Sequence, residues 1–479
     1  MAGITLLVAA AVTSAVIAAR HKAAWSGSTL QATWVDRHGT GVLRRGSGEP
    51  LLDRTALAPP SRATRALVTF VQVGDSEVTD AESPARLEML DRYGAPFTSA
   101  FRPQEALTGQ VLASSVASID RLRPQAVVLT GDLIANDQKN ELDEFLAVLR
   151  GGEVDPNSGG PGYQGVQAAT DPDAYYYRPQ VDPPRHPGLL GEAETPFPSP
   201  GLHARWFPLV GDHDVLVQGN LPATPATNTI ATGDRKLIAL GPAALGLAKR
   251  RTFSPGIVDR LLAHGLPGRS MHVTADPRRR ELAPGQVVER LRRASGISGQ
   301  GPLLDYTFPL GKHAVGIALD TVDRSGGAEG IVRPGQMTWL RRRLAAAGAR
   351  SVFVFSHSAL TSAAGGEGPV ALLDRDSHVV AAVSSSSHRD TIVPRRTRAG
   401  GYWLVSTASL IDYPQQARAF RLLRTADGGL VLETWMLDPY PHNRLASIAM
   451  QLAYLDFQGG RPQHFAGTHA DRNASLYVR

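Results

Sequence analysis

The sequence predicts an α/β protein, a layered sandwich in which helices cover sheets that contain parallel strands. Two observations carry this prediction. Short runs of Val, Ile, Phe, Leu and Ala recur along the 479 residues, and several end in Gly or Ser followed by Asp or His. Helix-like segments separate some of these runs, an alternation typical of layered α/β folds. In an open α/β sheet the carboxyl ends of the strands are where ligand sites converge.

Five runs predict buried strands, because each is short, apolar and bounded by Gly or Ser. They cover residues 66–73, 125–130, 206–210, 351–355 and 379–383. The first three lead into Gly-Asp pairs, and Gly lets the chain turn sharply without the steric cost of a Cβ atom. The residues that follow the five runs include Asp75, Glu77, Asp132, Asp212, His213, Asp214, His357 and His388.

These side chains are the donors that a two-metal hydrolytic centre requires. A single Gly-Asp pair after a strand is most often a simple turn, since Asp hydrogen-bonds to its own backbone there. A single His is more often a packed or surface residue than a ligand. Five such strand ends in one chain are hard to obtain by chance. The ensemble therefore favours a metal site in which carboxylates and imidazoles converge.

The order of the motifs resembles the calcineurin-like metallophosphoesterase superfamily. Its signature is Asp-x-His, Gly-Asp-x-x-Asp, Gly-Asn-His-Asp/Glu, a lone His and Gly-His-x-His. Residues 80–86, 231–236 and 411–418 are further similar to a bacterial subfamily of exported metallophosphoesterases. The resemblance covers residues 29–479. It implies a four-layer α/β/β/α sandwich with long insertions, two divalent metal ions, and hydrolysis of a phosphorylated small molecule or a phosphodiester.

The resemblance also implies roles for the matching residues. Asp75 and His388 would bind the first metal ion, His357 would bind the second, and Asp132 would bridge both. His213 would stabilise the phosphoryl transition state or protonate the leaving oxygen. Glu77 and Asp212 occupy two further metal positions.

Four positions depart from the family pattern. Glu77 replaces the His of Asp-x-His, Asp212 replaces the Asn of Gly-Asn-His, Ser386 replaces the first His of Gly-His-x-His, and Ala135 replaces the second Asp of Gly-Asp-x-x-Asp. Four carboxylates would make the site more anionic, which favours Mn, Mg or Ca over Zn, with Fe as a further candidate. Added ligand charge also lowers the acidity of metal-bound water, so we expect impaired or altered catalysis.

The change at Ala135 removes the carboxylate that would orient His213. A catalytic imidazole needs a partner on its second ring nitrogen to fix its tautomer and direction. Asp214 and Asp137 are the candidates for this role, and we assign Asp214 to the catalytic set with His213. The alternative is that His213 is a remnant of the fold.

The predicted ligands span most of the chain, which favours one domain over residues 29–479 with insertions at about 151–205 and 221–304. The first insertion is rich in Gly and Pro and is either a substrate-side lid or a structural flap. A strand at 313–319 and a helix from residue 335 continue the α/β alternation. Strand-like runs at 420–423 and 430–436 flank Asp-Gly-Gly and predict a hairpin at the sheet's edge.

Composition limits which binding partners and which cellular location the sequence predicts. The chain has no cysteine, which excludes disulfides and thiolate metal sites. The formal charge of +6 comes with scattered Arg clusters that are not interleaved with aromatic residues, so we predict no specific nucleic-acid binding. Residues 1–28 hold an apolar stretch, 4–19, that predicts an export signal. An N-terminal membrane anchor and a cytoplasmic protein with a buried first helix are the alternatives.

Two function classes follow. The first is an exported, metal-dependent phosphoesterase with a carboxylate-rich dinuclear site, extracellular or membrane-associated. The second is a catalytically degenerate protein of the same fold that binds a metal ion, a phosphate ligand or a partner without turnover. The specificity loops carry no readable motif, and the oligomeric state is left open.

Overall fold

The computed structural model describes residues 27–93, 101–250, 255–262, 265–440, 442–460 and 465–478. The apolar stretch 4–19, on which the export prediction rests, lies outside these ranges. Within them, no helix is both long enough and apolar enough to cross a membrane.

The described residues form nineteen strands. They are β1 (Trp34–Val35), β2 (Arg44–Arg45), β3 (Leu52–Arg54), β4 (Ala63–Val73), β5 (Ala126–Thr130), β6 (Gly152–Val154), β7 (Phe197–Ser199), β8 (Trp206–Leu209), β9 (Arg235–Leu240), β10 (Gly268–His272), β11 (Tyr306–Leu310), β12 (Ala314–Leu319), β13 (Ser351–Ser356), β14 (Val379–Ser384), β15 (Thr391–Arg395), β16 (Tyr402–Ser406), β17 (Ala417–Thr425), β18 (Leu430–Leu437) and β19 (Ala474–Val478). The five strands predicted before the ligand motifs are β4, β5, β8, β13 and β14.

Eleven α-helices lie in the described ranges. They are α1 (Thr108–Leu122), α2 (Lys139–Arg150), α3 (Leu189–Ala193), α4 (Pro225–Ala231), α5 (Pro242–Arg250), α6 (Pro255–Leu262), α7 (Pro284–Ser295), α8 (Pro334–Ala347), α9 (Glu367–Leu373), α10 (Arg444–Gln458) and α11 (His469–Arg472). Several begin at Pro, whose missing N–H costs nothing in the first turn.

Two large sheets organise the fold. A seven-stranded sheet has the order β3-β19-β18-β17-β4-β5-β8, and a six-stranded sheet has the order β11-β12-β13-β14-β16-β15. Strands β4, β5 and β8 are parallel, as are β12, β13, β14 and β16. Parallel neighbours bring the carboxyl ends of their strands to the same edge, which is what a shared site requires.

The two sheets pack face to face through aromatic rings. The ring of Phe70 on β4 lies 5.1 Å from that of Phe353 on β13, and Phe207 on β8 stacks 4.2 Å from Phe308 on β11. Edge-to-face and offset-stacked rings at these distances stabilise a core beyond their buried area. The inner faces of both sheets therefore form one core.

Helices cover the outer faces. Helices α1, α2 and α7 bury apolar side chains such as Val116, Phe145 and Val287 in the cluster that includes the seven-stranded sheet. Helices α8 and α9 bury Leu340 and Val370 against the six-stranded sheet. The architecture is the predicted four-layer α/β/β/α sandwich.

One sequence-based expectation needs correction. The hairpin of β17 and β18 is present, but it lies inside the seven-stranded sheet, where β17 pairs with β4 and β18 with β19; the edges are β3 and β8. Within the predicted insertion at 221–304, helix α7 packs against β8 and joins the main core. The bounds of this insertion stay a prediction.

Candidate metal centre

The predicted ligands meet where the two sheets present the carboxyl ends of their parallel strands. Asp75, Asp132 and Asp212 follow β4, β5 and β8 of one sheet, while His357 and His388 follow β13 and β14 of the other. Backbone hydrogen bonds tie the loops of the first sheet together, since Asp75 N–H donates to the Gly131 carbonyl at 3.2 Å. The site is therefore built across the interface between the sheets.

The loops hold several of these residues in an unusual backbone conformation. Asp75, Glu77, Asp132 and His388 have φ values of 48°, 35°, 47° and 52°. Positive φ is uncommon for residues with a Cβ atom, and such strain persists only where the surroundings enforce it. Four cases within one site support a functional role for this cluster.

The Gly residues before the motifs have two different functions. Gly131 has φ +93°, the conformation expected for a sharp turn. At Gly211 the reason is close approach, because a Cβ atom there would lie 2.1 Å from Oδ1 of Asp132. A side chain at Gly211 would displace the Asp132 carboxylate, and one at Gly131 would meet Gly211 and the ring of His357.

Two groups of donor atoms are arranged as ligand sets. Asp75, Asp132 and His388 form one group, and Asp132, Asp212 and His213 form the other. Within each group the donor atoms lie within 4.8 Å of one another. Asp132 belongs to both, which is the position predicted for the bridging carboxylate.

The imidazoles of His213 and His357 are oriented by backbone carbonyl groups. Nδ1–H of His213 donates to the Ala135 carbonyl at 2.8 Å, and Nδ1–H of His357 donates to the Thr130 carbonyl at 2.9 Å. A carbonyl can only accept, so the tautomer with Nδ1 protonated is favoured. Nε2 of His357 then lies 3.2 Å from Oδ1 of Asp212. Fixing one ring nitrogen so that the other faces a metal is a general feature of ligating histidines.

His388 has the same arrangement with a carboxylate partner. Its Nδ1 lies 2.7 Å from Oδ2 of Asp412, while Nε2 lies 3.5 Å from Oδ1 of Asp75 and 3.4 Å from Oε1 of Glu77. Asp412 was not among the predicted site residues. The only signal for it is its place in the segment 411–418, which resembles the family without a metal motif.

Asp75 offers the most direct test of whether a cation fits. Its carboxylate is buried, and within the described part of the chain neither oxygen has a hydrogen-bond partner. A buried carboxylate without a donor is costly. A divalent ion held by Asp75, Asp132 and His388 would remove that cost. The donor set therefore fits a metal ion.

Charges within the cluster shift the pKa values of its members. Burial raises the pKa of Asp75 and of Asp212. Burial would also raise the pKa of Asp132, but the imidazoles of His357 and His213 outweigh it and lower that pKa. Burial opposes ionisation of His357, yet Asp132 more than compensates and raises its pKa. Of Asp75, Asp132 and Asp212, Asp132 is therefore the carboxyl that ionises most readily.

Arg102 is a second site residue that the sequence did not identify. Its Nη1 donates to Oε2 of Glu77 at 3.1 Å, and its Nε and Nη2 donate to Asp412 at 2.6 and 3.1 Å. All three side chains are buried. Glu77 lies outside both ligand groups, so its assignment as a metal ligand stays a prediction. Its guanidinium partner neutralises part of the extra negative charge.

Asp214 lies beside His213 in sequence but does not orient its ring. Its carboxylate accepts from the backbone N–H groups of Leu133, Ile134 and Gly211 at 2.8, 3.1 and 2.7 Å. Burial raises the pKa of Asp214 to about 8. The orienting partner expected to be Asp214 or Asp137 is instead the Ala135 carbonyl, and Asp214 supports the loops after β5 and β8.

A pocket of about 270 Å³ opens onto the cluster. Ser386, which replaces a family histidine, lines it with His388, and Arg102 and Phe101 also form part of the wall. No residue of the predicted insertion at 151–205 lines this pocket among those described. Tyr176 of that insertion instead packs edge-on against Phe101 at 5.0 Å.

Comparisons with known proteins show limited similarity. No family model matches the chain, and no curated protein matches it. A solved dimetal phosphatase from Danio rerio is similar over 78% of this chain and 100% of its own, with 12% identity and a TM-score of 0.37. The sulfate thiohydrolase SoxB of Thermus thermophilus, solved with glycerol, is similar over 84% of this chain and 61% of its own, with 13% identity and a TM-score of 0.29.

Proposed function

We propose that this protein is a metal-dependent phosphoesterase with a carboxylate-rich dinuclear site. The observation that carries the proposal is the shared use of Asp132 by two ligand groups, one completed by Asp75 and His388 and the other by Asp212 and His213. His357 contacts both Asp132 and Asp212 through Nε2 and would complete the second group.

Two divalent ions at such a site would supply an acidified water as nucleophile and positive charge for the phosphate group. The residues of this chain would orient the substrate around them. Arg102 and His388 line the pocket, but both are paired with carboxylates, so attraction for a phosphate group would come from the bound metal ions. His213 also lies in the pocket wall, and the Nδ1 hydrogen bond leaves only its Nε2 available. That atom would either complete the second ligand group or, with His357 in that place, hold a proton near a leaving oxygen.

Oxygen donors dominate the ligand groups, which supports Mn, Mg or Ca over Zn, with Fe as a further candidate. The substrate class we propose is a phosphorylated small molecule or a phosphodiester. We also propose that the chain is exported, on the strength of the apolar residues 4–19; determination of the mature N-terminus in culture fractions tests this.

The experiment is reconstitution of the chelator-treated protein. Mn, Mg, Ca or Zn is added back, and turnover of p-nitrophenyl phosphate and of bis(p-nitrophenyl) phosphate is measured beside bound metal. We expect metal-dependent turnover that is lost in Asp132→Ala. If the unmutated protein binds metal but hydrolyses neither compound, the proposal that it hydrolyses phosphomonoesters or phosphodiesters is wrong.

The second candidate is a degenerate fold member that binds without turnover. The observation that favours it is the first ligand group, where Ser386 stands in place of an imidazole and Glu77 is engaged by Arg102. The reversion Glu77→His with Ser386→His tests it. Because Arg102 would then face an imidazole, the triple variant with Arg102→Leu is measured in parallel. Activity that appears only in the reverted proteins identifies the degenerate class.

A further inference from the structure

A second cavity, apolar and about 400 Å³ in volume, lies among helices α4, α5 and α6, strand β9 and residues 84–90. Among the described residues, none lines both this cavity and the pocket over the metal cluster. The volume falls in the range of roughly 300 to 1,000 Å³ that is usual for small-molecule sites. Its wall is formed mainly by aliphatic side chains, which include Leu90, Ile230, Leu237, Leu240, Val258 and Leu261.

The aliphatic wall is incompletely packed. Ile230, Leu240, Val258 and Leu261 are only half-buried, so part of their apolar surface is accessible to water. Removal of apolar surface from water is favourable in proportion to its area. A hydrocarbon group in the cavity would cover these side chains and would be stabilised by them.

One polar side chain in this wall has an unsatisfied oxygen. Glu281 is the only charged residue that lines the cavity among those described, and it is 8% exposed. Its Oε2 accepts a hydrogen bond from Oγ1 of Thr227 at 2.7 Å. Within the described part of the chain, its Oε1 has no hydrogen-bond partner. A buried carboxylate oxygen without a donor is costly, so Oε1 marks the place where a ligand would supply one.

The surroundings of Glu281 favour a cationic donor over a neutral one. Gln138 forms an antiparallel bridge with Glu281, and Leu282 N–H donates to the Asp137 carbonyl at 2.7 Å, so Asp137 lies beside Glu281. Asp137 is fully buried, and neither of its carboxyl oxygens has a partner among the described residues. Burial and the charge of Glu281 raise the pKa of Asp137. An ammonium group would supply both a donor and the positive charge that this pair of carboxyl groups lacks.

We propose that the apolar cavity binds a primary aliphatic amine, with its ammonium group on Oε1 of Glu281 and its hydrocarbon chain among the aliphatic side chains. A dry apolar cavity of about 150 Å³ is enough for benzene. The larger cavity here therefore accommodates a chain of about eight carbons. The site is separate from the metal centre and does not depend on the phosphoesterase function.

The test is calorimetric titration of the Mn-loaded full chain at pH 8 with octylamine, butylamine, octanol and octanoate. Octylamine and butylamine differ by four methylenes, each worth about fourfold in affinity, so octylamine should bind about 100-fold more tightly or better. Hydrogen bonds to charged groups are the stronger ones, so octylamine should also bind at least about tenfold more tightly than octanol. Octanoate should bind most weakly, because its charge has the same sign as that of Glu281.

Two variants assign the parts of the ligand to the parts of the site. Glu281→Gln keeps an acceptor but removes the charge, so octylamine should lose about tenfold or more in affinity while octanol changes little. The matched control Glu289→Gln, at an exposed position on α7, should leave both unchanged. Leu240→Trp fills the cavity and should weaken octylamine and octanol alike by about tenfold or more. Its matched control Leu372→Trp, on α9 against the other sheet, should weaken neither.

Several outcomes would overturn the proposal. Equal affinities for octylamine and butylamine would exclude the cavity as the site of the chain. Octanol that binds as tightly as octylamine, or an amine preference that persists in Glu281→Gln, would exclude an ammonium group at Glu281. Octylamine that binds only to the metal-free chain would belong to the carboxylates of the metal centre. The comparisons among ligands use the unmutated protein, so they decide the matter even if a variant does not fold.

Discussion

The ion pair between Glu77 and Arg102 gives the sharpest test of how the site accommodates its substituted positions. The pair is 3.1 Å long and buried. At an effective dielectric constant of about 20, Coulomb's law gives an attraction of about 5 kcal/mol at that distance. Arg102→Met would leave Glu77 and Asp412 buried without their cation, and loss of one member of a buried pair costs about 3 to 5 kcal/mol.

We expect Arg102→Met to lower the free energy of unfolding by about 3 to 5 kcal/mol. Glu77→Gln should cost less, because Arg102 keeps Asp412. In the double variant the two losses should not add, and the coupling energy should be about 2 to 3 kcal/mol, at the upper end for contacting residues. Replacing both partners removes the unpaired charge of Glu77, while Asp412 still loses its guanidinium partner.

The assay is urea unfolding of the metal-free full chain at pH 7.5, followed by tryptophan fluorescence and circular dichroism. Arg395→Met is the matched control, because Arg395 pairs with Asp374 at the surface, where an ion pair is worth about 1 kcal/mol or less. A coupling energy below about 0.5 kcal/mol would refute the reasoning. If Glu77→Gln also weakened Mn binding 100-fold, Glu77 would be a metal ligand after all.

Three further results are expected. Asp132→Asn should abolish binding of both ions, whereas Asp75→Asn should retain one ion per chain; elemental analysis after gel filtration measures the stoichiometry. Asp412→Asn should weaken Mn binding about 10- to 100-fold in a competition titration, because His388 loses the carboxylate that orients it. Burial and neighbouring carboxylates raise the pKa of Glu82 to about 8. The free energy of unfolding should therefore fall as the pH rises from about 4.5 to 8, where the folded protein loses the proton on Glu82. In Glu82→Gln up to about 5 kcal/mol of that fall should be absent, which urea unfolding at several pH values measures.

The strands that carry the ligands could be predicted because their signals are local. Each is a short β-branched run bounded by Gly or Ser, and β5, for example, was expected at 125–130 and is found at Ala126–Thr130. The place of the hairpin β17–β18 could not be predicted in the same way. It depends on pairing with β4, some 350 residues earlier, and no short motif records such a partner.

The supporting residues of the site were missed for a similar reason. Arg102 contacts Asp412 across a sequence separation of 310 residues, and neither follows a recognisable motif. The partners of His213 and His357 are the backbone carbonyls of Ala135 and Thr130, and every residue carries a carbonyl group. Sequence can identify which residue types converge, but the hydrogen bonds that orient them depend on the tertiary fold.

Arg102 reduces the negative charge that the four carboxylates bring to the metal centre. Four carboxylates at the site implied a strongly anionic cluster with weakly acidic metal ions. One of them, Glu77, shares the guanidinium of Arg102 with Asp412, so three carboxylates, those of Asp75, Asp132 and Asp212, remain for the two ligand groups. That number is closer to the two carboxylates of the family pattern, so the penalty on catalysis from added charge is smaller than the sequence alone implied.

The change from histidine to Ser386 has no such compensation. The second ligand group has His213, with the Nε2 atom of His357 also in contact with its two carboxylates, whereas the first has only His388 as an imidazole. A hydroxyl is a weak ligand for a divalent ion. The asymmetry therefore lies between the two ligand groups rather than in the total charge, and the ion beside Asp75 should be the more weakly held of the two.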